Sequence, residues 1–142
     1  MGENVLKRKL HDHKKRITPQ REAVYSALKN SESHPSAEEI HNKILNKHPN
    51  ISLATVYQIL SIFEEIGIIK SLTVDNTKRY EIDSRFHIHI ICPVCEKIDD
   101  LYSIKIKAFW QNLLDELEIN PEDEEIRVYQ TCAECLNKLK KK

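Results

Sequence analysis

The sequence predicts an α+β protein built in two parts. Three capped helices and a hairpin fill the chain up to about residue 83, and short alternating strands with one amphipathic helix fill the remainder. Two Cys-x-x-Cys pairs, both in the second part, separate the halves chemically.

The first helix is announced by Thr18-Pro19, an N-cap followed by proline at the first helical position, with Val24, Ala27 and Leu28 as its apolar stripe. Ser36 and Glu39 form a capping box, and Ala37, Ile40 and Ile44 continue on one face. Ser52 opens the third helix and Gly67 closes it. Along that helix Leu53, Val56, Leu60 and Phe63 share one side, while Ala54, Gln58 and Ser61, flanked by Thr55 and Tyr57, make the other small and polar. Strand-like runs at 68–73 and 78–82 flank the turn pair Asp75-Asn76. Helices followed by a β-hairpin suggest a winged helix-turn-helix over residues 1–83.

After Asp83-Ser84 the pattern changes. Residues 87–92 alternate like a strand and Ile98–Leu101 can pair with it; Ile106, Phe109, Leu113 and Leu117 mark an amphipathic helix. Beyond the acidic loop 121–125, Ile126 and Val128 alternate in a further strand. The expectation is a small α/β domain over residues 84–142, ending in a frayed basic tail at Lys138–Lys142.

Residues 1–16 carry six bases against two acids, residues 1–83 carry 13 against 11, and the remainder 9 against 11. The asymmetry is mild: a net charge of zero permits a basic N-terminal binding arm without proving one. No apolar run approaches the roughly 20 residues of a membrane span. The basic N-terminus has no apolar segment behind it, so no secretory signal is read and a cytoplasmic protein is expected. With only two glycines, Gly2 and Gly67, a Gly-rich phosphate loop is excluded.

Cys92/Cys95 and Cys132/Cys135 carry the strongest chemistry. Each knuckle delivers two sulfurs, and two knuckles suit the closed tetrahedral set of a structural Zn(II) site, the alternatives being a redox-active dithiol or four unrelated thiols. His87 and His89, at i and i+2 of a strand, share one face and can reach one ion. By pattern alone they are equally surface histidines. Glu81, Asp99 and Asp100 lie near in sequence, and His34 heads a helix far upstream. Nitrogen and oxygen donors of this kind suit Fe(II), Mn(II), Zn(II) or Ni(II).

Taken together these segments resemble the ferric-uptake-regulator family, most closely its peroxide-sensing branch. The matching motifs are Ile17-Thr18-Pro19-Gln20-Arg21, His34-Pro35-Ser36-Ala37-Glu38-Glu39-Ile40, Ser52-Leu53-Ala54-Thr55-Val56-Tyr57, Arg79-Tyr80-Glu81, the run from His87 to Cys95, and Cys132-Ala133-Glu134-Cys135. They recur in order from about residue 6 to 136. The resemblance implies a winged-helix DNA-binding domain, a dimerisation domain and a regulatory metal at the hinge. Carried over by position, the regulatory ligands are His34, Glu81, His87, His89 and Asp100, holding Fe(II) or Mn(II). The recognition helix is 52–66, with Tyr57 matching a base-contacting tyrosine beside Thr55 and Gln58. Lys15, Arg16 and Arg21 become candidate phosphate contacts. The implied partners are double-stranded operator DNA and a second copy of the chain, with no membrane and no small-molecule substrate.

The sequence departs from the family pattern in two ways. Glu81 stands where the peroxide-sensing branch usually has Asp and iron-uptake regulators commonly have Glu. The ligands of a further site found in many iron-uptake members match Phe86, Ile88, Lys107 and Glu124 here, so no third metal site is expected. In peroxide-sensing members Fe(II) turns peroxide into an oxidant of a ligating histidine, and His34 and His89 are the matching targets. The alternatives are an Fe(II)-corepressed iron-uptake regulator and a zinc-ribbon interaction module. A zinc hydrolase lacks its His-Glu-x-x-His helix, so no enzyme is expected.

Overall fold

The computed structural model describes residues 2–31, 34–82 and 85–141, with side chains from residue 5 onward; Asp83, Ser84 and Lys142, which belong to expectations above, lie outside the described residues. The chain divides into two compact units, Met1–Ser84 and Arg85–Lys142.

The N-terminal unit contains α1 (Gly2–Asp12), α2 (Pro19–Lys29), α3 (Ala37–Ile44) and α4 (Leu53–Glu65), then β1 (Lys70–Val74) and β2 (Thr77–Glu81). The caps are where the sequence puts them. Thr18, Ser36 and Ser52 accept from the backbone N–H groups of Arg21, Glu39 and Thr55. Gly67, at φ +76°, ends α4 in a Schellman motif: its own N–H reaches Glu64 O and that of Ile68 reaches Phe63 O. Asp75 and Asn76 both have positive φ, the requirement of a two-residue type I′ hairpin turn. The strands are shifted from the expected runs. Ile68 and Ile69 are consumed by the helix cap and turn inward, so β1 starts at Lys70.

Residues 2–12, where the charge distribution permitted an arm, form the helix α1. Leu6 and Leu10, at i and i+4, are buried in the same core as Val24, Ile40, Val56, Leu60 and Phe63. A second Schellman motif closes the helix, with Lys14 at φ +56° and the Lys15 N–H on Leu10 O. The basic residues therefore ride on a docked helix. Leu10→Ala is expected to cost about 2–5 kcal/mol of unfolding free energy, read from urea denaturation of the helical unit; a loss near zero would return α1 to the status of an arm.

The C-terminal unit has β3 (Ile88–Ile91), β4 (Ile98–Leu101), α5 (Ile104–Glu116), β5 (Ile126–Tyr129) and α6 (Ala133–Lys140). β3 is the central strand, antiparallel to β4 and parallel to β5. Three expectations change here. β3 is shorter than 87–92, because Cys92 already belongs to the turn that carries the first cysteine pair. The tail is helical as far as Lys140, Cys132 serving as the N-cap residue of α6. The expected stripe of α5 is only partly covered: Ile106 and Leu113 are half-buried beside the buried Leu114, while Phe109 is 68% exposed and Leu117 58%. The unit thus leaves an apolar helix face and the outer edge of β5 open to solvent.

Candidate metal centres and nucleic-acid interface

The first centre lies wholly in the C-terminal unit. Cys92 and Cys95 sit on the turn between β3 and β4, which is closed by Glu96 N–H on Cys92 O (2.9 Å) and Cys92 N–H on Lys97 O (3.0 Å). Glu96 takes φ +65° to make that turn. Cys132 and Cys135 come from the start of α6, brought alongside because β5 pairs with β3 and the Gln130 N–H extends that pairing to Ile91 O. The four sulfurs lie within 4.8 Å of one another, and none is in a disulfide. Cys95 Sγ and Cys132 Sγ are 3.8 Å apart. With Zn–S bonds of about 2.3 Å, the edge of a tetrahedral set is about 3.8 Å, so the spacing fits zinc.

The thiols are also unequal in acidity. The Cys132 backbone N–H, 3.3 Å from Cys92 Sγ, and that of Cys95 pull the Cys92 thiol down to about 6. Cys135, hydrogen-bonded to the Cys132 side chain and buried, is pushed up to about 12. Crowded sulfurs hold one proton tightly while releasing another, and a divalent cation is what allows all four to ionise together.

The same unit carries a nitrogen and oxygen set. His89, on β3, is the register partner of Asp100 on β4, and His87 lies just before the strand on the same side. Their Nε2 atoms are 3.0 Å apart, and Asp100 Oδ1 is 3.8 Å from each. His87 Nδ1–H donates to the Arg85 carbonyl at 2.6 Å, which fixes its tautomer and turns the Nε2 lone pair toward His89. Two donors about 2.1 Å from one ion are roughly 3.0 Å apart when they subtend a right angle. The His-x-His spacing fits an octahedral edge.

The N-terminal unit brings its own pair together. His34, buried, precedes the α3 cap, and Glu81 ends β2; the imidazole Nε2 and the carboxylate Oε2 meet at 2.7 Å. They are 47 residues apart in sequence. Strand β2 closes the gap by bridging to Ser36 through Arg79 and by the Tyr80 N–H on Pro35 O (3.0 Å).

On α4, Val56, Ile59, Leu60 and Phe63 are buried, leaving Ala54, Gln58 and Ser61 exposed as the periodicity predicts. Tyr57 is 40% exposed, and its hydroxyl donates to Glu38 at 2.7 Å, which lowers the Glu38 carboxyl and raises the phenol. Thr55 is half-buried, its hydroxyl 2.9 Å from that of Ser52. Lys15 and Arg16 are exposed and help line an open groove of about 830 Å³ with Lys7, Arg8, His11, Val5 and Ile17. Arg21 is half-buried and folds back to donate to the Arg16 carbonyl. In the sequence Lys7 and Arg8 register only as charge; placing them with Lys15 in one groove needs the docking of α1.

Of the positions matched to a further family site, Ile88 is buried in β3 and the Glu124 carboxylate accepts from Trp110 Nε1 at 2.9 Å. Among the described residues, no helix is long and apolar enough to cross a membrane.

A winged helix ahead of a metal-binding α/β unit is the plan of a metal-responsive transcriptional regulator. Residues 12–129 match the ferric uptake regulator family, and the chain belongs to it. It is 39% identical over 121 residues to the peroxide-responsive repressor PerR of Staphylococcus epidermidis, covering 84% of this chain and 81% of that one. The PerR of Staphylococcus aureus strain USA300 is 36% identical over 124 residues, at 87% and 84% coverage. Among solved structures, the Helicobacter pylori ferric uptake regulator, described as having three functional metal-binding sites, superposes with a TM-score of 0.83 at 30% identity, over 96% of this chain and 94% of that one. The Campylobacter jejuni peroxide stress regulator gives 0.72 at 29% identity, over 93% and 97%.

Proposed function

We propose that this protein is a metal-dependent, peroxide-responsive repressor that binds operator DNA as a homodimer in the cytoplasm and is not an enzyme. Residues 1–83 form the DNA-binding domain and 84–142 the dimerisation domain. The observation that carries the reading is the division of donors. The four sulfurs are a complete structural set for Zn(II), whereas the nitrogen and oxygen donors are two incomplete sets, His34 with Glu81 in one unit and His87, His89 and Asp100 in the other. One Fe(II) or Mn(II) ion shared by both would tie the units into a single arrangement. An ion that prefers one arrangement shifts the population toward it, and metal and DNA affinities become reciprocally linked.

In that arrangement Tyr57, Thr55 and Gln58 face the major groove and Lys15 and Arg16 meet phosphates, with Arg21 stiffening the Arg16 backbone. The exposed α5 face with Phe109 and the free edge of β5 with Val128 and Tyr129 are the surfaces a second copy would cover. Bound Fe(II) supplies the one-electron chemistry that makes peroxide an oxidant of a neighbouring imidazole. His34 and His89 are the targets; adding oxygen to either ring removes a donor, and the linked DNA affinity falls with it. Similarity to peroxide-responsive repressors at 36–39% identity favours this over metal-level sensing alone.

The test is operator binding by Fe(II)-loaded and Mn(II)-loaded protein before and after low peroxide, with intact-mass analysis. Loss of binding in the iron form only, with one oxygen added at His34 or His89, is expected. Unchanged binding and mass in both forms would leave an Fe(II)-corepressed regulator, with Glu81 the first residue to exchange for Asp.

A further inference from the structure

His34 lies in an irregular stretch, since neither it nor Pro35 belongs to a helix or strand. A ligand on such a segment is only as well placed as its local contacts make it. Strand β2 supplies those contacts twice. Glu81 takes the imidazole, and two residues earlier on the strand Arg79 takes the backbone, its Nη1 donating to the His34 carbonyl at 3.2 Å. The same Nη1 reaches Glu39 Oε1 at 3.3 Å, and the Glu39 N–H is held by the Ser36 cap at 3.2 Å. The Arg79 side chain is only 18% exposed and its bond to the His34 carbonyl is partly buried, whereas Glu39 is 50% exposed, so the backbone contact is the less screened of the two. One guanidinium therefore joins the wing strand, the residue that carries the imidazole and the first turn of α3.

From this geometry we infer that Arg79 is a positioning residue for the regulatory metal: it fixes the His34 backbone so that the imidazole and the Glu81 carboxylate arrive together. The inference rests on the reading that His34 and Glu81 bind that ion. Arg79 itself is no ligand, because a guanidinium remains protonated and has no lone pair to offer. A lysine at this position keeps the charge but not the planar fork, so Arg79→Lys should retain part of the effect.

The experiment titrates Mn(II) into zinc-loaded full-length wild type, Arg79→Ala, Arg79→Lys and His34→Ala, following free Mn(II) by its paramagnetic resonance signal. Operator affinity at limiting and saturating Mn(II) and the thermal midpoint are measured alongside. Arg79→Ala is expected to weaken Mn(II) binding about 10–100-fold, with Arg79→Lys in between. Saturating Mn(II) should restore operator affinity in both, even where loss of the Arg79 contacts lowers the thermal midpoint. Wild-type Mn(II) affinity in Arg79→Ala with a loss in His34→Ala overturns the inference and leaves the metal reading standing. Operator binding that stays impaired at saturating Mn(II) also overturns it, since the arginine would then be holding the fold. Wild-type affinity in His34→Ala overturns the metal reading itself, and the inference with it. Should Arg79→Ala not fold, Arg79→Lys decides by the same two readouts: weaker Mn(II) binding that saturation rescues supports positioning, and wild-type binding overturns it.

Discussion

Replacing Cys92 or Cys135 with serine is expected to release the zinc and unfold residues 85–141 while the helical unit stays folded. The reason is the uneven distribution of core. The main buried cluster runs from Leu6 to Tyr80 and lies entirely in the N-terminal unit. The buried apolar residues of the C-terminal unit are Ile88, Ile91, Ile98 and Leu114, with Cys92 and Cys135. Two of its few buried side chains thus belong to the proposed zinc centre, which would fasten α6 and the end of β5 to the β3–β4 turn. A unit of this size with so little core needs a staple, and for structural zinc the metal free energy is folding free energy. Trp110, the one tryptophan, donates to Glu124 within this unit and reports on it selectively. The expected result is complete: zinc absent by elemental analysis, no cooperative transition in Trp110 fluorescence, and far-ultraviolet dichroism reduced without being abolished. A serine variant that lacks zinc yet keeps a wild-type Trp110 transition would show that the sulfur centre is dispensable for folding.

The same contrast between local and long-range order separates what the sequence discloses from what it does not. Thr18, Ser36, Ser52 and Gly67 act on groups within about four residues of themselves, so caps and helix ends are legible from neighbours alone. Asp75-Asn76 and both cysteine pairs are legible for the same reason. The nature of the α1 segment was harder to read: among so many charges, only the spacing of Leu6 and Leu10 betrays an apolar face. On α5 the periodicity is real but does not say what covers it; of Ile106, Phe109, Leu113 and Leu117 the unit half-buries Ile106 and Leu113 beside Leu114 and leaves Phe109 and Leu117 exposed. The partnership of His34 with Glu81 depends on β2 docking against the segment before α3, which no local pattern encodes. In the sequence only the family resemblance brings the two together, and nothing local marks the contacts of Arg79 that the same docking creates.

His34→Ala and His87→Ala, taken singly and together, should show that the two incomplete donor sets serve one ion. Each single variant is expected to lose the whole metal-dependent gain in operator affinity, a coupling of about 1–3 kcal/mol or roughly 5–150-fold. The double variant should be no weaker than either single one. The argument is thermodynamic. If one ion must be held by both units to favour the DNA-binding arrangement, removing either set ends the linkage and leaves nothing for the second substitution to remove. Two ions acting independently would instead give losses that multiply, as for separate sites without shared partners. Zinc content and the Trp110 transition should be unchanged in all three variants, because neither histidine touches the sulfur centre. Metal-independent binding should also survive, since the exposed face of α4 and the basic groove beside α1 are built within the N-terminal unit alone. Fold losses that multiply in the double variant would assign His34 and His87 to different ions, and the shared-metal switch would have to be abandoned.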